Sequence, residues 1–123
     1  MRLVRLIILL VGISALTIGC AHKPGGPEPS AQDIFKEAQA MAKTGRVEKA
    51  AEAYMKVRTY YPGHELAKES LVAIGDLYFQ HKEYESALGS YQEFRLLYPT
   101  DSKAPYCLFQ IGMCHFKQVM SFD

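Results

Sequence analysis

Residues 68–99 read KESLVAIGDLYFQHKEYESALGSYQEFRLLYP. The spacing predicts a helix, a short polar turn and a second helix. Small residues sit at Gly75 and Ala87, aromatic residues at Tyr78, Tyr84, Tyr91 and Phe94, and Pro99 closes the unit. The flanking segments read as copies of this one. A backward shift of 37 residues lays Ala50 on Ala87, Tyr54 on Tyr91, Tyr61 on Tyr98, Pro62 on Pro99 and Ala38 on Gly75. The forward shift lays Leu108 on Leu71, Ile111 on Ile74, Gly112 on Gly75 and Phe116 on Phe79, and the chain stops at Asp123, inside that third unit.

The pattern resembles a tetratricopeptide repeat. It implies an all-α fold of antiparallel helical hairpins stacked as a solenoid of about two and a half repeats, at residues 31–64, 65–102 and an incomplete 103–123. Ser30 is a good N-cap for a helix over 31–43, with Asp33 in its first turn. A partner helix over 47–60 turns Ala50, Ala51, Tyr54 and Val57 inward. Small residues at Ala38 and Ala50 let the two axes approach closely, and Tyr54 fills the wedge toward the next hairpin. Glycine inside a helix costs up to about 1 kcal/mol against alanine. Gly75, Gly89 and Gly112 therefore point to crowding by a neighbouring backbone, although Gly89 has no place in the repeat. A third helix runs from near Lys103 to about Met120, with Pro105 in its first turn.

Charged residues are 22% of the chain and apolar ones 49%, with no acidic or basic excess that would speak for nucleic acid. The amino terminus is different in kind. Arg2 and Arg5 precede an uncharged aliphatic run that ends in Leu16-Thr17-Ile18-Gly19-Cys20. Basic start, apolar centre and small-residue cleavage site make 1–19 a secretory signal. The cysteine directly after Gly19 resembles a bacterial lipoprotein signal, which implies lipidation of Cys20 and membrane attachment through the lipid. An uncleaved membrane helix is the alternative, but residues 6–21 fall short of the roughly 20 apolar residues a span needs. Ala21 following the cysteine, in place of aspartate, favours the outer membrane by the same resemblance. Residues 20–30, rich in proline and glycine, form an extended tether.

Little in the chain speaks for catalysis. Cys107 and Cys114 are seven residues apart on one helical face, about 10.5 Å along the axis, too far to bond to each other and best read as buried small hydrophobes. A haem attachment motif ending at Cys114-His115 would need a cysteine where Ile111 stands. His22, His64 and His81 read as solvated residues, and Glu83 and Glu85 point in different directions on a helix. No nucleophile with a base, phosphate loop or metal spacing is evident, so neither an enzyme nor a cofactor is expected. In tetratricopeptide arrays the first helix of each hairpin lines a concave face. Carried over, the groove positions are Phe35 and Gln39, then Val72, Asp76, Phe79 and Gln80, then Tyr106, Phe109, Met113, Phe116 and Lys117. Aromatic residues flanked by amides and single charges suit an extended peptide with aromatic anchors. Whether Phe109 and Phe116 line that groove or belong to a core stays open.

The lipoprotein signal, the tether and the segment EFRLLYPTDSKAPYCLFQIGMCHFKQ together resemble the BamD (ComL) family of outer-membrane protein assembly lipoproteins. That resemblance covers Gln32 to the end of the chain. It departs at Ile111, preceded by Gln110, where the family often has an arginine before the glycine. It implies a non-enzymatic, lipid-anchored scaffold of the β-barrel assembly (BAM) complex that binds unfolded outer-membrane proteins. The implied partners are the barrel-forming subunit BamA and the other lipoproteins of that complex. Two other readings stay open: a periplasmic repeat adaptor of the Tol-Pal coordinator type, and the helical scaffold of a cell-wall lytic enzyme. Leu108, Ile111, Phe116 and Val119 have no following helix to cover them, which predicts a fragment or truncated product that self-associates or is marginally stable.

Overall fold

Ser30 opens the helical array in the computed structural model, which describes residues 28–121. Its hydroxyl accepts the Asp33 amide N–H (3.2 Å) while the Asp33 carboxylate accepts the Ser30 amide N–H (3.1 Å), a reciprocal cap. Helix α1 (Ala31–Lys43) closes on Thr44, whose hydroxyl donates to the carbonyls of Ala40 and Met41. It is followed by α2 (Val47–Tyr60), α3 (Glu65–Gln80), α4 (Tyr84–Leu97) and α5 (Ala104–Met120), with no strand among the described residues. The fold is all-α, as the repeat spacing predicts. The expected signal peptide, Cys20 and most of the tether lie outside the described residues.

The turns inside the two complete hairpins repeat each other bond for bond. Arg46 N–H reaches the Met41 carbonyl (3.0 Å) and Gly45 N–H that of Ala42 (3.0 Å). In the second turn Glu83 N–H reaches Tyr78 (2.9 Å) and Lys82 N–H reaches Phe79 (3.1 Å). Such a closure needs a left-handed residue, supplied by Gly45 (φ 71°) in one turn and Lys82 (φ 64°) in the other. The sequence does not announce Lys82 as a turn residue, because lysine adopts this conformation only at a cost of about 1 kcal/mol. His64 also differs from its reading as a solvated residue: its Nδ1 accepts the Leu66 amide N–H (3.1 Å) and caps α3.

Each helix packs on the next in sequence, and α1 also touches α3. This is the local contact pattern of a stacked solenoid. Tyr54 packs with Ala38 and Ala53 of its own hairpin and with Ile74 of the following one, so it fills the wedge between units. Between α3, α4 and α5 the core holds Leu71, Val72, Ala87, Leu88, Tyr91 and Phe94 together with Cys107 and Cys114. Both cysteines are free, buried thiols. Burial, ahead of the nearby Asp76 charge, pushes Cys107 up to about 11. Ion pairs stitch the units together, Arg58 with Glu93 and Lys103 with Glu69, while Lys68 with Asp101 (2.7 Å) ties the start of α3 to the turn after α4 within the second unit.

The three helical glycines do not share the cause expected of them. A Cβ on Gly75 would lie 2.6 Å from Cε1 of the Tyr91 ring, so a side chain crowds this position and not a neighbouring backbone. Gly89 and Gly112 have nothing within 4 Å of the equivalent point. On α5, Leu108 and Val119 stand exposed beside Gly112. No helix among the described residues is long and apolar enough to cross a membrane.

Candidate functional site

Three rows of repeat-equivalent residues run across α1, α3 and α5. They are Phe35, Val72 and Phe109; Gln39, Asp76 and Met113; and Ala42, Phe79 and Phe116. Asp76 is the one charged member of these rows, and the polar contacts converge on it. Its Oδ1 accepts the hydroxyl of Tyr91 from α4 (2.6 Å) and that of Tyr106 from α5 (2.6 Å). The Gln110 side-chain amide donates to the Tyr106 oxygen (2.9 Å) and to that of Tyr91 (3.4 Å). The two tyrosine rings meet edge to face at 6.2 Å. One carboxylate thus ties three helices of adjacent repeats at a single point.

The electrostatics follow from this placement. The Tyr91 hydroxyl is pushed far above the usual phenol range, first by burial and then by its bond to the Asp76 carboxylate. Tyr106 moves upward for the same two reasons in the same order. Tyr54 is raised by burial and then by the Asp76 charge, so its ring also lies within that carboxylate's field. All three phenols stay neutral near pH 7, and those of Tyr91 and Tyr106 act as hydrogen-bond donors to Asp76, not as bases.

Around this hub the expected groove residues take different stations. Phe35 is half-buried and meets Tyr54 edge to face at 5.1 Å, and Phe79 meets Tyr84 likewise at 5.4 Å. Val72 is buried in the core between α3 and α5, while Gln39 and Gln80 are exposed. Met113 is half-buried; Tyr106, Phe109 and Phe116 are 40%, 64% and 54% exposed. Among the described residues nothing covers Phe109 or Phe116 enough to make either a core residue. The sequence presents Tyr91 only as the repeat equivalent of the wedge filler Tyr54 and gives Gln110 no part. The visible clue was Gln110 one helical turn after Tyr106, a spacing at which side chains meet.

What the arrangement offers is a surface with fixed hydrogen-bonding groups and aromatic edges. No group of three or more metal-ligating side chains occurs among the described residues. A separate depression of about 340 Å³ between α1 and α2 is rimmed by Glu37, Glu52, Lys49 and Lys56. Its charges balance, two carboxylates against two ammonium groups, and Lys56 pairs with Glu52 at 3.2 Å.

Comparison with known proteins agrees with the family resemblance. A family model described as "Outer membrane lipoprotein" (YfiO) matches residues 27–123. A curated relative, the outer membrane protein assembly factor BamD of Caulobacter vibrioides, is 24% identical over 121 residues, which cover 94% of this chain and 40% of the relative. The chain therefore spans less than half the length of the curated relative it matches.

Proposed function

This chain belongs to the outer membrane lipoprotein (YfiO) family, a family of lipoproteins and not of enzymes, and from that premise we propose that it serves as a scaffold in outer-membrane β-barrel assembly. In this reading Cys20 carries the lipid, and the helical array hangs from it on the periplasmic face of the outer membrane. The face built on α1, α3 and α5 receives an extended segment of an unfolded outer-membrane protein. BamA and the other lipoproteins of the BAM complex are the partners inferred.

The observation that supports this reading is the row of half-exposed aromatic side chains around the Asp76 hub. An extended strand places alternate side chains on one face. Aromatic anchors on such a strand would bury against Phe35, Phe79, Tyr106 and Phe109, where a few contacts supply most of the affinity. Gln39 and Gln80, both exposed, offer amides to the strand's backbone.

The test is binding of labelled peptides that end in an aromatic strand, measured by fluorescence anisotropy. Phe79→Ala with Tyr106→Ala should weaken binding by about tenfold or more, since each removes an anchor worth about 1 kcal/mol or above. Unchanged binding in that double variant would refute the groove. Mass spectrometry of the mature protein tests the lipid separately: the expected product begins at a modified Cys20.

A further inference from the structure

We infer that the face built on α1, α3 and α5 selects segments carrying an arginine among their aromatic residues, with the guanidinium docked on the remaining oxygen of Asp76. This rests on the groove reading above and adds to it a chemical preference. Asp76 Oδ1 is occupied by two tyrosine hydroxyls at 2.6 Å each. Oδ2 accepts no hydrogen bond from the described residues, and no fully buried side-chain oxygen among them lacks a partner, so Oδ2 of the half-buried Asp76 keeps contact with solvent.

The charge at this point is also unmatched. Lys68 is held by Asp101 and Glu65, Lys103 by Glu69 and Arg58 by Glu93, whereas Asp76 forms no ion pair among the described residues. Lys117 on α5 lies eleven residues beyond Tyr106, about 16 Å along the helix, too far to neutralise it. The tyrosine bonds hold the carboxylate in one orientation, so a ligand bears little of the cost of ordering it.

Arginine fits this point better than lysine. It is more weakly hydrated, presents several donors in a plane, and can lie against a tyrosine ring. Tyr106, 40% exposed, offers such a ring within reach of the carboxylate. A ligand carboxylate at the same point is repelled, so the face disfavours an acidic side chain there.

The experiment uses the whole chain and three labelled peptides of one aromatic sequence whose central residue is arginine, glutamine or glutamate. The arginine peptide should bind at least about tenfold tighter than the glutamine peptide, as for a charge-assisted hydrogen bond, with glutamate weakest. Asp76→Asn keeps an acceptor for both tyrosines and should close the gap between the arginine and glutamine peptides. Equal binding of those two peptides to the native protein overturns the inference, as does a gap that survives Asp76→Asn. Should Phe79→Ala with Tyr106→Ala abolish binding while the gap behaves in either of those ways, the groove stands and only the arginine preference falls. If no peptide binds at all, both fall.

Discussion

The first and second hairpins share a backbone plan and part company where their helices come closest. In the first, Ala38 keeps a methyl group at that point, and Tyr54 stands edge-on to Phe35. In the second, Gly75 leaves the point bare and the Tyr91 ring lies against the helix backbone. From there the Tyr91 hydroxyl reaches Asp76, the next residue along α3. Gln39 fills the equivalent place in the first hairpin. Two differences, a missing methyl group at Gly75 and a carboxylate at Asp76 in place of an amide, therefore separate the first wedge from one whose tyrosine also orients a carboxylate.

The sharpest way to break this contrast is Gly75→Ala. The new Cβ would meet a fully buried, hydrogen-bonded ring at 2.6 Å, an overpacking that should cost about 3 kcal/mol. In a domain of this size the melting temperature should fall by roughly 10–20 °C. An unchanged melting curve would mean the ring is free to move aside. Gly112→Ala, at the equivalent position of α5, should do the opposite. Nothing lies within 4 Å of its Cβ position, so the helix should gain about 1 kcal/mol in denaturant titration. A loss of that size at Gly112 would show that another helix already covers α5.

A smaller effect separates the two turns. Lys82→Gly gives the second turn the residue that the first already has in Gly45. Relief of the left-handed strain is partly offset by the entropy of a freer unfolded chain. The net gain should be about 0.5 kcal/mol, whereas Gly45→Lys should destabilise by a similar amount.

The last contrast concerns acid. The Ser30 hydroxyl holds the Asp33 carboxyl below its ordinary range in the first hairpin. Asp101, in the turn after the second, is held low by the Lys68 ammonium and then by the Lys103 backbone N–H. A carboxyl whose folded value is depressed contributes stability above its unfolded value, near 4. That contribution is lost as pH falls through the folded value. Stability should therefore decline below about pH 4, and Asp101→Asn should flatten that decline. A decline of the same steepness in the variant would leave the Lys68–Asp101 pair no role in holding the turn after α4 against α3.

The array's plan was legible in the chain because helical periodicity and a 37-residue recurrence are properties of residue type and order. Ser30, Tyr54, Gly75 and Pro99 each declare a cap, a filler, a close approach or a stop through chemistry that acts over a few neighbours. The tetratricopeptide resemblance likewise set Asp76, Phe79 and Tyr106 on one face. What spacing could not supply was a bond between residues far apart in the chain. That Tyr91 reaches Asp76, that Gln110 braces both tyrosines, and that Gly75 is bare for the sake of a ring and Gly112 is not, depend on how α4 and α5 settle on α3. Lys82 shows the same division: its left-handed backbone follows from closure of a turn between two packed helices, which overrode the preference of lysine itself.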